Sequence, residues 1–372
     1  MRVLVLAAAL LVLTAHAAAA APARPVLRCP DDTLRIATSD GDHAALPLSA
    51  LAPTDTINAP TEARLWLIGG RDSLEMPLRR RPVAVTVAGA GATRVLWVRH
   101  APPRGDAERV QLLRRFARFG GHDPAFPRIA YAPPTDSALA ALRAHWNLDS
   151  VAGTGGEFDR LRRLMHWVHV TVRHDGTHDN PAAMESQALL AACAGGKATC
   201  NCRGLGTILN EVYLAMGFPS RHLTCLPWDE KDPDCHVVNM VWSSERGKWL
   251  YMDPTHDAWF ADAQGQPLSP REIREAMRRG DSLQCPSPPD WNGQPMNPRV
   301  YRSYMTKNFF RFSVPAESRF GYEQHARPIR ELHLDPADFQ REKRGAGWLQ
   351  VRDVVREWHT SDADAFWAPP GS

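Results

Sequence analysis

The run Cys202-Arg203-Gly204-Leu205-Gly206-Thr207-Ile208-Leu209, closing in Leu214-Ala215-Met216-Gly217-Phe218-Pro219-Ser220-Arg221, decides the fold. Leu205, Ile208, Leu209, Val212 and Met216 recur at helical spacing, so a buried helix opens beside Cys202. Gly217 stops it, and Pro219 lies just beyond. A cysteine at a helix N-terminus meets the partial positive charge of the dipole, which favours the nucleophilic thiolate. Backbone N–H groups at the same end can also receive an oxyanion. An ordinary buried or disulfide-bonded thiol is the alternative for this position taken alone.

Downstream, residues 222–226, 236–242 and 249–253 read as strands. With Trp242 set opposite Gly247 across a four-residue turn, His236 stands directly opposite Asp253 on one face. The acid would then hold the imidazole while the other ring nitrogen takes the thiol proton. A slip of one residue would separate the pair. Upstream, Phe158, Leu161, Leu164, Met165 and Val168 mark an amphipathic helix, and Glu185 to Cys193 a shorter one ended by Gly195-Gly196. Between them lies a polar, His-rich loop. His166, His169, His174 and His178 are irregularly spaced and read as surface or core residues. Helices followed by an antiparallel sheet make an α+β fold.

At this point the residues resemble a known family. A cysteine opening a helix that closes fifteen positions later in Gly-aliphatic-Pro-small-Arg is similar to the nucleophile helix of the transglutaminase-like superfamily. His236 resembles its strand histidine. Trp249-Leu250-Tyr251-Met252-Asp253-Pro254-Thr255 resembles its Trp-x-x-x-Asp-Pro-Thr strand. The resemblance covers about residues 155–260. It implies a papain/transglutaminase-like core and a catalytic triad of Cys202, His236 and Asp253. Asp234-Cys235-His236-Val237-Val238-Asn239 and Phe366-Trp367-Ala368-Pro369 also resemble bacterial envelope proteins that carry such a domain. Two features depart from the pattern. Cys200 stands where many members have glycine, although the fifteen-residue spacing favours Cys202 over it. No side chain is fixed as oxyanion donor; Asn201 and Trp167 are the candidates, and Trp167 also suits core packing.

The rest of the chain frames this core. Residues 1–21, with Arg2, an apolar run over 3–13 and small residues around Ala15-His16-Ala17, read as a cleavable secretory signal. The apolar run is too short and too Ala-diluted for a membrane span, and no other stretch could cross a bilayer. Residues 22–105 read as a β-rich domain, with strands at 64–68, 82–88 and 93–99 and a hairpin loop at Gly89-Ala90-Gly91. Ala101-Pro102-Pro103-Arg104-Gly105 reads as a linker, and residues 106–154 as a helical connector. Residues 155–265 form the expected catalytic core and 266–372 an extension packed on it. In that extension Ser269 and Glu272 make a capping box.

The chain has 372 residues and a net charge of +3 with scattered basic residues, which excludes a nucleic-acid footprint. Its seven cysteines are an odd number, which in an oxidising compartment suggests three disulfides and one reactive thiol. Cys193 with Cys200, Cys225 with Cys235, and Cys29 with Cys285 are the pairings considered. Cys200, Cys202, Cys235 and His236 match zinc knuckles poorly, because Cys-x-Cys is the wrong spacing, so neither metal nor cofactor is expected.

These readings converge on an exported, periplasmic or secreted cysteine enzyme of the bacterial cell envelope. It would act on amide or peptide carbonyls through a thioester acyl-enzyme, on a peptide, protein or peptidoglycan-stem substrate. Hydrolysis is favoured over transamidation because water is abundant and no amine site is visible. A non-catalytic binding or scaffold module of the same fold is the alternative.

Overall fold

The computed structural model describes residues 24–38, 43–59, 65–76, 82–100, 105–230, 232, 234–339, 347–352 and 354–371. The expected signal segment, and residues 101–104 of the expected linker, lie outside these. Among the described residues no helix is long and apolar enough to cross a membrane.

The N-terminal part is strand-rich, as its alternating β-branched residues require. Val26–Cys29, Val83–Gly89, Thr93–His100 and Thr54–Ala59 form one four-stranded sheet in that order. His43–Pro47, Thr33–Thr38, Leu65–Gly69 and Asp72–Met76 form a second. Leu27, Leu34, Ile36, Ile57, Leu67, Val85, Val87 and Leu96 come from both sheets and bury one shared apolar layer. Sheet-on-sheet packing of this kind needs one inward face per strand, and the period-2 pattern supplies it.

Helices Asp106–Arg115, Ser137–His145 and Leu148–Ala152 lead into the α+β core. That core begins with α1 (Glu157–Thr171), α2 (Ser186–Cys193) and α3 (Cys202–Ala215). The strands β1 (Ser220–Leu226), β2 (His236–Ser243) and β3 (Lys248–Met252) follow as an antiparallel meander. After α4 (Pro270–Arg279) and α5 (Pro298–Asn308) the chain adds β4 (Arg311–Pro315), β5 (Ile329–Leu334), β6 (Leu349–Arg352) and β7 (Val355–Thr360). All seven strands join one sheet in the order β3-β2-β1-β4-β5-β7-β6. The capping box at the start of α4 is present, Ser269 and Glu272 each satisfying the other's backbone.

The sheet is buried on both faces. Val241, Leu250 and Met252 point into a cluster with Leu205, Ile208, Leu209 and Val212 of α3. Their sequence neighbours Met240, Trp249 and Tyr251 point the other way, against Tyr301 of α5 and Phe309, Phe312 and Phe366. Helix α3 lies so close to β2 that a Cβ on Gly206 would stand 2.9 Å from Val237 Cγ1. Asn239 Nδ2 donates to the Gly206 carbonyl at 2.9 Å across the same contact. A mid-helix glycine disfavours helix by about 1 kcal/mol relative to alanine; here it permits that approach.

One expectation is corrected in the β2–β3 hairpin. Ser243 pairs with Lys248 and Trp242 with Trp249, so the register is two residues away from the expected one. Gly247 adopts φ +61°, a left-handed conformation that belongs in the turn and not in the strand. His236 therefore lies diagonal to Asp253 and not opposite it. A two-residue shift keeps both side chains on the same face, so they still meet.

The structure shows none of the expected disulfides, and all seven cysteines are free in it. Cys29 packs in the N-terminal apolar layer and Cys285 against the α4–α5 side of the sheet, in separate clusters. Cys225 pairs in register with His236, leaving Cys235 one residue past its strand partner. Cys193 and Cys200 come nearest to a bond, with their sulfurs 3.6 Å apart.

Candidate active site

Cys202 is the first residue of α3 and is half-buried. Asn201 caps the helix, its Oδ1 accepting from Gly204 N at 3.1 Å and from Asn180 Nδ2 at 2.9 Å. The Asn201 backbone N–H donates to Asn180 Oδ1 at 3.0 Å, which ties the capping residue down from both sides. Asn201, a candidate oxyanion donor from sequence, is thus engaged as an N-cap through its side-chain oxygen. Trp167, the other candidate, packs edge-on against Trp146 in the apolar cluster behind α3.

The imidazoles of His174 and His236 flank the Cys202 sulfur and act on its charge. Burial works to raise this thiol, but the two histidines outweigh it and bring its pKa down to about 6. No other cysteine behaves this way. Burial pushes Cys200 and Cys225 well up, and Cys235 up to about 12. Of the two thiols in the Cys-Asn-Cys step, Cys202 is the one whose pKa is lowered and Cys200 one whose pKa is raised.

His236 opens β2 and is buried. Its Nε2 stands 2.8 Å from Asp253 Oδ2. Burial works against the charged ring, yet the Asp253 carboxylate and the Cys202 sulfur raise its pKa to about 10. With Nε2 committed to the acid, Nδ1 is the nitrogen left for the sulfur. The ring is held edgewise between Tyr304 and His256, at centroid distances of 5.5 and 5.2 Å.

Asp253 follows directly on β3 and is fully buried. Its Oδ2 also accepts from Tyr301 OH at 2.8 Å and meets His256 Nδ1 at 3.0 Å. Its Oδ1 accepts the backbone N–H groups of Thr255 and His256 at 2.9 and 3.3 Å. Burial alone would favour the neutral acid, but His236 and His256 hold the carboxyl well below the usual range. A buried carboxylate with its lone pairs filled is a fixed charge behind the imidazole.

The sequence reading took His174 for a surface or core residue and passed over His256, Tyr301 and Tyr304. His174 reaches the site through a parallel bridge to Cys200, two residues before the nucleophile helix. The Arg173 carbonyl accepts from Cys200 N, and the Cys200 carbonyl accepts from Asp175 N. Trp291 Nε1 donates to His174 Nδ1 at 3.0 Å. An indole N–H can only donate, so Nδ1 must accept, and the proton of a neutral ring sits on Nε2, facing the sulfur. Tyr301 and Tyr304 are three apart on α5 and therefore face the site together. No local spacing announces any of these contacts; only the Asp253-Pro254-Thr255-His256 step is a short-range signal.

Residues 144–254 match the family model of the transglutaminase-like superfamily. The core of this chain is transglutaminase-like. The transglutaminase-like segment includes Cys202, His236 and Asp253, whereas Tyr301 and Tyr304 lie beyond it. Over that segment the chain is similar to a family of cysteine-type enzymes. Two solved structures are similar at low identity. One is a candidate cysteine protease from Cytophaga hutchinsonii, 12% identical over 43% of this chain and 57% of that one, with a TM-score of 0.26. The other is red sea bream transglutaminase, 13% identical over 63% of this chain and 49% of that one, with a TM-score of 0.23. The chain spans about half the length of each. No curated protein matches it.

Proposed function

We propose that the protein is a Cys-His-Asp enzyme that cleaves amide or peptide carbonyls through a thioester acyl-enzyme. The observation that carries this is the half-buried Cys202 sulfur, flanked by two imidazoles, one of them backed at 2.8 Å by the fully buried Asp253. The thiolate attacks the carbonyl carbon, and the π pair moves to oxygen. Collapse breaks the C–N bond while His236 gives its Nδ1 proton to the leaving amine. Water then attacks the thioester, His236 takes its proton, and the C–S bond breaks to restore the thiolate. His174 Nε2–H, released from the sulfur as negative charge moves to oxygen, is the side-chain donor suited to that oxyanion.

Water as acceptor makes the enzyme a peptidase, amidase or deamidase, and a primary amine would make it a transamidase. The same reading makes it an exported protein of the bacterial cell envelope, acting on a peptide, protein or peptidoglycan stem. Its support there is the apolar run at 3–13 with its flanking residues.

The test is brief iodoacetamide labelling of the purified protein near pH 6, with peptide mapping, beside His236→Ala. Acid-quenched incubations with peptide and peptidoglycan-fragment pools then report any acyl adduct on Cys202 and any ammonia or amine released, with and without added primary amine. Rapid labelling confined to Cys202, and a hydroxylamine-sensitive adduct there, are expected. Slow labelling that ignores His236→Ala would overturn the enzyme reading and leave a non-catalytic scaffold module.

A further inference from the structure

A second cluster of ligating side chains lies on the far half of the sheet. Strands β5 and β7 are parallel neighbours, with Glu331 in register with Glu357 and His333 with His359. Residues two apart on a strand share a face, so two Glu-x-His steps, Glu331-Leu332-His333 and Glu357-Trp358-His359, lie side by side. The imidazoles of His333 and His359 stack with centroids 4.4 Å apart.

The bonding of the His333 ring is incomplete. His333 is 5% exposed, and neither of its ring nitrogens has a hydrogen-bond partner. Its Nε2 lies 3.7 Å from Glu357 Oε1 and 3.6 Å from Glu331 Oε2, near both carboxylates yet too far to bond either. On the other ring, His359 Nδ1 stands 2.7 Å from Asp335 Oδ2, and Nε2 stands 3.0 Å from Glu357 Oε2. Asp335 fixes the tautomer, so a neutral His359 turns the Nε2 lone pair toward a carboxylate. Ligating atoms of His333, Glu357 and His359 converge on one point, where a single divalent ion could meet all three.

We propose that His333, Glu357 and His359 form a binding site for a divalent transition-metal ion of the zinc type. One ligand atom from each of the three lies within 4.8 Å of the other two. A tetrahedral zinc site with bonds of about 2.0–2.2 Å needs them roughly 3.3–3.5 Å apart, and Glu357 oxygens already lie 3.0 Å from His359 Nε2 and 3.7 Å from His333 Nε2. Two imidazoles and one carboxylate are a donor set suited to zinc, with a fourth position for water. Asp335 completes it as the carboxylate that orients a ligating histidine through its other nitrogen. The ion would brace β5 against β7. It would also sit one residue step from Glu331, which accepts from Arg203 Nη2 of the nucleophile helix at 3.0 Å.

The experiment is calorimetric titration of the full-length Cys202→Ser protein with Zn²⁺, and titration with Co²⁺ followed by visible absorption. Cys202→Ser removes the competing thiolate, and a His256→Ala companion removes the other histidine cluster. One equivalent bound, with cobalt d–d bands of low-symmetry four-coordination, is expected in both backgrounds. Binding should weaken at least tenfold in His333→Ala and His359→Ala, and about 10–100-fold in Asp335→Asn. Glu357→Gln keeps the side-chain shape, so its binding loss reports on the site even if a histidine variant fails to fold. Absence of binding, or binding that persists in Glu357→Gln and in the folded histidine variants, would overturn the proposal.

Discussion

The indole N–H of Trp291 donates to His174 Nδ1 at 3.0 Å, and this fixes the tautomer of a ring that flanks the Cys202 sulfur. Replacing His174 with alanine should slow turnover by about 10²–10³-fold, the usual cost of one oxyanion donor. It should also slow iodoacetamide labelling of Cys202 at pH 6, because one of the two rings that lower the thiol's pKa is lost. Trp291→Phe leaves the imidazole in place but frees its tautomer, so a smaller loss is expected. Equal losses in both variants would mean that the tautomer lock, and not the ring alone, governs reactivity.

The lowered Cys202 and raised His236 pKa values define a plateau. The thiolate forms as pH rises through about 6, and the imidazolium is lost as pH rises through about 10. Acyl-enzyme formation should therefore increase through the first value and fall through the second. His236→Ala should move the lower limb upward, toward the ordinary thiol value of about 8.5. The check is the pH dependence of the Cys202 alkylation rate in both proteins, followed by intact mass.

Tyr301→Phe removes one donor from Asp253 while keeping the ring that packs on Phe260. A hydrogen bond to a buried charge contributes roughly 1.5–3 kcal/mol, so chemical denaturation should show a loss of that order. The labelling rate should fall less than in His236→Ala, because His236 keeps its own contact with the carboxylate.

Gly206→Ala would put a methyl 2.9 Å from Val237 Cγ1, beside His236. Overpacking of this kind costs about 1–3 kcal/mol. Both the melting temperature and the Cys202 labelling rate should drop, since the intrusion pushes the nucleophile helix away from the strand that carries the histidine. Gly247→Ala is the contrast. It strains a left-handed turn position, with φ +61°, and nothing lies near its Cβ. It should lower stability and leave labelling unchanged.

Much of this site was legible in the sequence because its pieces are local. The helix that opens at Cys202 announces itself by spacing, and His236 and Asp253 flank one hairpin. The register went wrong by two residues because Gly247 was taken as a strand residue when its backbone belongs to the turn. Parity preserved the meeting of the two side chains. His174, Tyr301, Tyr304 and the paired Glu-x-His steps were not legible for a different reason. Each comes to its place through a pairing between distant segments, such as the bridge from His174 to Cys200 or the parallel register of β5 with β7. Cysteine counting could not place the thiols, because the fold sets Cys29 and Cys285 in separate apolar clusters.

The single seven-stranded sheet bears on how the protein can be handled. Residues 144–254 end on β3, yet β1 hydrogen-bonds to β4, and Asp253 depends on a tyrosine at 301. A fragment cut at the limit of the family match would bare the ladder edge of β1 and the apolar underside of the meander. It would also leave the buried carboxylate short of a donor. Such a piece should be recovered from expression as aggregate. The smallest portion worth purifying runs at least to β7.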